Sequence, residues 1–456
     1  MLKLVLLTVV LTLIECRDIV VIKYTKPILS FTLTADNRGI QYVVFTFLVK
    51  DVRYKTNGVI TSEGWQYQTS QINLLGVDKV EAYATAYDQK HGIRLKTPKS
   101  TLLLKNDQHL PRPGRRIRGA VIFRDDFNSI NPANWDYEIS MYGGMTWEFQ
   151  VYTNEPRNVF TKNGMLYIQP TPTISDPRFD DNFLRNGVMD VASKLHLVPG
   201  HAQCLSFYCL HDIWGYCTNK NNYGCHREGK FGLLPPVMSG KIMSKPTLRY
   251  GIVEIRARIP KGDWLWPGIS MLPRQNVYGE FPRSGQIDIM ESRGNPGPYG
   301  VNSFSSTLHW GVDWKNDRWQ FTTVDKRGNS WHESFHTWRL EWTPNSMNIF
   351  VDNDRVLEVR PDAGFWNLGR FTGRNIWGAA GKMAPFDTDF FMSLKVSVGG
   401  VSGYFSDERN WERKKPWADN SLKAAEDFWN GRNEWLPTWQ GDKAALIVDW
   451  VEFKNF

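Results

Sequence analysis

The 456-residue chain carries 55 Lys and Arg against 47 Asp and Glu, a formal charge of +8, and is 41% hydrophobic and 22% charged. This composition is ordinary for a globular protein and excludes a long disordered chain, a collagen-like repeat and a polytopic membrane protein. The positive charge is dilute and no Lys/Arg-rich run of the nucleic-acid-binding type occurs, so we expect no nucleic-acid partner. Aromatic residues make up 14%, which suits stacking on sugar rings, although a large aromatic β core explains that figure at least as well.

The N-terminal residues combine a cation, an apolar run and a polar boundary. Lys3 precedes an apolar run over 4–14, and Glu15 and Cys16 end that run. The run is too short to span a bilayer but fits the core of a secretory signal. We predict a signal peptide at residues 1–17, a secreted, extracellular protein and no membrane span.

Residues 18–105 contain short β-branched and aromatic runs separated by turn residues such as Asn57-Gly58. About seven such runs predict a small β-sandwich. Residues 106–120 are basic, contain two prolines and show no periodicity, which predicts an interdomain linker. The alternatives for this segment are a patch that contacts an anionic surface and a protease-sensitive site.

Residues 121–456 again read as strands, and the absence of an internal linker favours one large sandwich. Residues 253, 255, 257 and 259 are apolar, whereas 254, 256 and 258 are charged, as expected for a half-buried strand. Asp352-Asn353-Asp354 predicts a hairpin turn, and residues 446–453 predict a last strand within the sheet. Only Ser421–Arg432 shows a helical pattern.

Four cysteines lie close together in the large region. Their spacing lacks the paired C-x2-C of a zinc site, and in an oxidising compartment we expect two disulfides that staple a loop insertion. Three pairings are possible. The candidates are Cys204, Cys209, Cys217 and Cys225.

The segment Ser284–Asn295, SGQIDIMESRGN, carries the chemistry. On a regular strand Gln286 and Asp288 share one face, but strict alternation would place Glu291 on the other. A bulge at Ile289–Met290 would return Glu291 to the polar face, and bulges recur beside active sites. The alternative is an ordinary strand whose glutamate pairs with an arginine.

This segment resembles glycoside hydrolase family 16, specifically its β-1,3-glucanase branch and the invertebrate β-1,3-glucan-binding or Gram-negative-bacteria-binding proteins. Further matches include Lys261–Pro267 and Met271–Arg274. The resemblance covers about residues 120–456 and implies an all-β fold with a concanavalin-like β-jelly roll. Residues 18–105 are similar, more weakly, to carbohydrate-binding module family 39.

The resemblance implies that position 286 corresponds to the nucleophile, Asp288 to its supporting residue and Glu291 to the acid/base. Gln286 replaces the expected glutamate and carries no anion, so we expect no functional catalytic residue and no glucanase activity. Ser270 replaces an aromatic residue of the family pattern, which removes either a stacking platform or a piece of core.

We expect six residues to contact carbohydrate, although for the tryptophans core packing is the alternative. They are Trp264, Trp266, Glu291, His309, Trp310 and Trp377. For Trp65, in the small region, the same two roles are possible: contact with carbohydrate or packing in the core. No metal site or cofactor is expected.

Three functions follow from these patterns. The first, implied by the resemblance, is a secreted innate-immune pattern-recognition protein that binds β-1,3-glucan or another microbial polysaccharide and signals to serine proteases. The second is a weak residual β-1,3-glucanase in which water attacks directly and Glu291 supplies the proton. The third is a scaffold that has lost sugar binding and acts through protein contacts.

Overall fold

The computed structural model describes most of residues 20–103, in short stretches, and then residues 119–191 and 217–456 except 329 and 402. The predicted signal peptide, nearly all of the predicted linker and Cys204 and Cys209 lie outside the described residues. The chain divides into two compact units: residues 1–117 with 317–327, and residues 118–316 with 328–456. Within the described residues, no helix combines the length and apolarity needed to cross a membrane.

The described residues form mostly strands, in agreement with the predicted all-β class. The strands are β1 Val20–Thr25, β2 Ile28–Leu33, β3 Tyr42–Val49, β4 Val52–Asn57, β5 Val59–Thr61, β6 Gly64–Thr69, β7 Lys79–Asp88, β8 Gly92–Lys96, β9 Ser100–Leu103, β10 Val121–Asp125, β11 Trp135–Tyr137, β12 Gln150–Tyr152, β13 Val159–Lys162, β14 Met165–Ile168, β15 Thr171–Pro172, β16 Val188–Asp190, β17 His226–Glu228, β18 Val237–Ser239, β19 Lys241–Leu248, β20 Gly251–Arg258, β21 Leu265–Pro273, β22 Gln286–Ser292, β23 Ser303–His309, β24 Thr323–Arg327, β25 His336–Trp342, β26 Met347–Val351, β27 Asp354–Val359, β28 Phe390–Val398 and β29 Leu446–Lys454.

The smaller unit is built from two antiparallel sheets. One has the order β1-β2-β6-β5, and the other the order β24-β4-β3-β7-β8 with β9 also on β7. Alternate residues of β3 and β7 are buried in one apolar core together with Phe31 and Trp65. The indole of Trp65 is therefore part of this core, which decides between its two predicted roles.

The larger unit is a β-sandwich whose two main sheets are antiparallel, with two small additional sheets, β12-β18-β15 and β16-β17. The first, which we call the site sheet, has the order β11-β19-β28-β21-β22-β23, and the second the order β13-β14-β29-β20-β25-β26-β27 with β10 on β29. Strand β20 buries Val253, Ile255 and Ala257 and turns its charged residues away from the core, as predicted. The predicted hairpin is formed by β26 and β27, and β29 is the predicted last strand.

Helices are short in the described part of the chain. They are α1 Asp181–Asn186, α2 Phe365–Leu368, α3 Ala424–Asn430 and α4 Arg432–Trp435. Helix α3 falls inside the predicted helical stretch, but the expectation that no other segment is helical is wrong. The sequence does not predict helix α1 because a helix of little more than one turn is too short to show a periodic apolar pattern. The helix begins where the side chain of Asp180 accepts a hydrogen bond from the Phe183 amide.

Two of the four predicted cysteines form a disulfide. Cys217 is bonded to Cys225. This pairing closes a short loop rather than joining distant parts of the fold, as expected for a staple on an insertion. The other predicted partners are not among the described residues.

Candidate functional site

Strand β22 contains the β-bulge that the sequence predicts. Asp288 lies opposite Thr307 of β23 and Glu291 opposite Ser305. Three residue steps along β22 therefore match only two along β23. On the other side, Ser270 pairs with Asp288 and Ile269 with Met290, which leaves Ile289 as the extra residue. Glu291 thereby returns to the same face as Gln286 and Asp288, and we call this surface the site face.

Asp288 is fully buried and collects four hydrogen bonds. Its carboxylate accepts from the Ser270 hydroxyl at 2.6 Å and from Nε2 of Gln286 at 2.9 and 3.0 Å. Nε2 of His309 lies 3.2 Å from its second oxygen. Burial opposes ionisation, but the interactions with His309, Ser270 and Gln286 outweigh it, so the pKa of Asp288 lies below its ordinary value. Asp288 is an anion held by donors.

Glu291 has the opposite titration behaviour. Burial and the charge of Asp288 raise its pKa to about 7, against the opposing effects of Lys395, His309 and Trp266. The indole Nε1 of Trp266 donates to its Oε1 at 3.0 Å. Near neutral pH the site face therefore holds one ionised carboxylate, Asp288, and one carboxyl group, Glu291, that can still carry a proton. Two carboxyl groups whose pKa values differ in this way can act as an anion and an acid.

A lysine on β28 completes the site face. Lys395 on β28 pairs with Gly268 on β21, and Gly268 pairs in turn with Glu291 on β22. The three residues therefore form one row across the sheet. Its Nζ lies 3.6 Å from Oε1 of Glu148 and 4.8 Å from the ring centroid of Trp266. Burial lowers the pKa of this amine, yet the carboxylates of Glu148, Glu291 and Asp288 raise it overall. Lys395 is thus a partly buried cation among acids, with a fifth of its side chain exposed.

The ring of Trp266 belongs to a stacked column that also contains Tyr404 and Arg293. Its ring lies parallel to Tyr404, with centroids 3.5 Å apart, and Tyr404 donates its hydroxyl to the carbonyl of Ser292. The guanidinium carbon of Arg293 lies 3.8 Å from the Tyr404 ring centroid. The two stacked rings bury each other's faces, and the cation over the Tyr404 ring adds a cation–π attraction. The column leaves Trp266 with little free ring surface.

The prediction that Trp264 and Trp310 line a sugar-binding groove requires correction, because both indoles are 0% exposed. Trp264 packs edge-on against Phe405, Trp411 and Trp417. Trp310 packs edge-on against Phe365 and Phe371. The alternative role, core packing, is the one that these two residues have.

Trp377 is also buried, and its indole donates to the backbone carbonyl of Arg283 at 2.9 Å. An exposed ring beside His309 belongs to Phe281 instead, which is 42% exposed and lies 5.5 Å from the His309 ring. His309 keeps a fifth of its side chain exposed. The structure thus places an exposed aromatic ring beside a partly exposed imidazole.

Sequence reasoning missed Phe281, Lys395 and Glu148. Lys395 leaves a signal, since it is a lone cation within the apolar strand Phe390–Val398. Glu148 is 7% exposed and accepts from Nε2 of Gln150, but its place beside Lys395 depends on strand pairing that a pattern does not show. Within the residues that the structure describes, no group of three His, Cys, Asp or Glu side chains is arranged to hold a metal ion.

Comparison with known families matches residues 217–368 to glycosyl hydrolases family 16. The matched segment contains β22 with its bulge and both neighbouring strands. It therefore includes Gln286, Asp288, Glu291 and His309.

Curated relatives extend the similarity to about three quarters of the chain. The chain is 39% identical to a β-1,3-glucan-binding protein of Penaeus monodon, over 73% of this chain and 89% of that protein. It is 31% identical to β-1,3-glucan-binding protein 1 of Galleria mellonella, over 74% of this chain and 64% of that protein. It is 28% identical to Gram-negative bacteria-binding protein 1 of Drosophila melanogaster, over 73% of this chain and 64% of that protein.

Proposed function

Because the chain belongs to the β-1,3-glucan-binding protein family, we propose that it binds β-1,3-glucan or a related microbial polysaccharide without hydrolysing it. The names of the three relatives support this class of ligand. We place the contact on the site face, around Glu291, His309 and Phe281, with the edge of Trp266. The proposed setting is extracellular pattern recognition in innate immunity, upstream of serine proteases.

The observation that carries the proposal is the hydrogen bonding of Gln286. Its amide nitrogen donates to both oxygens of Asp288, at 2.9 and 3.0 Å. A retaining glycosidase needs a second carboxylate, about 5–5.5 Å from its acid, to form the glycosyl-enzyme intermediate. An amide used as a donor to a neighbouring anion supplies neither the nucleophile nor a free negative charge for an oxocarbenium ion.

Ground-state binding needs none of that charge. A glucan chain offers hydroxyl groups to donors and acceptors and the C–H faces of its rings to aromatic side chains. His309 and Lys395 are partly exposed donors, and Phe281 presents an exposed ring. The site face retains the groups for holding a sugar while lacking the group for cleaving it.

One observation favours the second candidate, slow hydrolysis. The pKa of Glu291 is raised to about 7 by burial and by Asp288, so Glu291 remains able to donate a proton near neutral pH. Direct attack by water would then require no nucleophile from the protein. The test below therefore measures release of sugar together with binding.

The test is co-sedimentation of the purified protein with insoluble β-1,3-glucan, with released reducing sugar measured in the same tubes. We expect the protein in the pellet and no sugar released above a Glu291→Gln control. Release that depends on Glu291 would establish the weak glucanase instead. Failure of the folded protein to sediment would overturn glucan binding and favour a scaffold that acts through protein contacts.

A further inference from the structure

Two exposed aromatic rings lie on neighbouring loops outside the row of site-face residues. Trp147 is 46% exposed and Tyr223 is 75% exposed. Both have left-handed backbone conformations, with φ of 47° and 58°. Such a conformation is costly for a residue with a bulky side chain, and residues held in it cluster at ligand-binding positions.

The two loops are tied to each other by backbone and side-chain bonds. The amide of Met141 donates to the carbonyl of Gly224 at 2.7 Å, and Nδ2 of Asn222 donates to the carbonyl of Gly144 at 3.2 Å. The Cys217–Cys225 disulfide closes the second loop. The two aromatic residues are therefore presented by one cross-linked piece of structure, which we call the loop platform.

A partly buried guanidinium connects the two loops of the loop platform. Arg227 donates to the backbone carbonyls of Met141, Asn222 and Tyr223, and so bonds to both loops. Burial lowers the pKa of Arg227 to about 10. The guanidinium therefore holds the backbone of both loops in place. A binding surface that is ordered before the ligand arrives loses less conformational entropy on binding.

The loop platform adjoins the site face on its β28 side. Glu148 follows Trp147 directly and lies 3.6 Å from the ammonium of Lys395. The carbonyl of Thr146 accepts from the amide of Val401, just beyond the end of β28. A chain that leaves the site face across Lys395 therefore meets the loop that carries Trp147.

We propose that the loop platform is an additional binding site for the same polysaccharide, where sugar rings beyond those on the site face stack on Trp147 and Tyr223. This inference rests on the proposed function. Aromatic rings fit the flat C–H face of a pyranose, and the rings of Trp147 and Tyr223 are both open to solvent. The occupant is a neutral β-1,3-linked glucose chain long enough to reach past Lys395.

The test compares a short and a long linear β-1,3-gluco-oligosaccharide by calorimetric titration. Trp147→Gly and Tyr223→Gly remove each ring while permitting the same backbone conformation, and Trp147→Phe keeps an aromatic ring. Phe231→Ala is the matched control, because Phe231 is also a highly exposed ring, at 81%, and is no part of the loop platform. Melting temperatures confirm that each variant is folded.

We expect each glycine variant to weaken binding of the long chain roughly three- to tenfold, the range of a single aromatic contact, and to leave binding of the short chain unchanged. Trp147→Phe should recover part of the loss, and Phe231→Ala should bind as the wild type does. Unchanged binding of the long chain in both glycine variants overturns the loop platform but leaves the proposed function intact. Failure of the wild type to bind either chain overturns the proposed function itself.

Discussion

Lys395 lies across Gly268, with its aliphatic stem over the glycine and its ammonium turned toward acidic side chains. A Cβ placed on Gly268 would lie 3.0 Å from Cε and 3.3 Å from Cγ of the lysine. Gly268 is paired with both Lys395 and Glu291, so the missing side chain opens the path between them. The cation reaches the site face because this position has no Cβ.

Replacing Lys395 by Met should raise the pKa of Glu291 above about 7, since the ammonium is one of the charges that oppose the shift. The measurement is an NMR titration of the Glu291 side-chain carboxyl. Lys241→Met is the matched control, because Lys241 lies next to Lys395 across the sheet but pairs with Glu138. A Glu291 pKa that is the same in Lys395→Met and the wild type would contradict this account.

The stability of the larger unit should fall as the pH rises from about 4.5 to about 7. The folded-state pKa of Glu291 is raised from 4.5 to about 7, so its contribution is complete below the unfolded pKa and is lost as pH passes through the folded one. The upper limit of the loss is about 3 kcal/mol. Chemical denaturation at pH 5 and pH 8 should show a smaller difference for Glu291→Gln than for the wild type.

Asp288 has the reverse sign and a separate window. Its pKa is lowered, so its contribution is present above the unfolded pKa and lost only as the solution becomes more acidic. The comparison at pH 5 and pH 8 therefore reports on Glu291. An identical pH dependence in the wild type and in Glu291→Gln would remove Glu291 as its source.

Ser270→Ala should destabilise the fold by about 2 kcal/mol, because it deletes a hydrogen bond to a buried carboxylate. Ser306→Ala is the matched control, since this buried serine on β23 donates to a neutral backbone carbonyl. We expect about 1 kcal/mol for that loss. Equal losses measured by denaturant unfolding would show that the charge of Asp288 adds nothing to its bond with Ser270.

Gln286→Glu should restore slow hydrolysis of soluble β-1,3-glucan. The new carboxyl would replace a donor that lies 2.9 Å from Asp288, so one of the two acids must share or hold a proton, and we expect activity to increase toward acidic pH. Adding Glu291→Gln to this variant should abolish the activity. A folded Gln286→Glu protein that binds glucan and releases no sugar would show that Ser270 or Lys395 also disables the site.

The sequence predicts β22 well because its polar residues conflict with strict alternation. Gln286, Asp288 and Glu291 can share a face only if one residue is inserted between them, and the bulge at Ile289 is that insertion. Period-two patterning likewise predicts β20. These features depend on residues that are close in the chain, where the geometry of a strand is the only assumption.

The tryptophans show what the pattern does not contain. An indole next to a carbohydrate-type motif suits either stacking on sugar or packing in a core, and its sequence position is the same in both cases. Trp264 and Trp310 are in the core because Phe405 and Phe365, distant in the chain, pack against them. Lys395 and Glu148 were missed for the same reason, since their 3.6 Å contact joins segments almost 250 residues apart.

The position of β29 ties the assembly of the larger unit to the time at which residues 446–454 are synthesised. This strand pairs with β10, β14 and β20, so it joins segments made much earlier. Until it arrives, β20 has an open edge able to pair with another chain. Pairing over such sequence separations is slow, and we therefore expect nascent chains of this protein to depend on chaperones until β29 has been synthesised and paired.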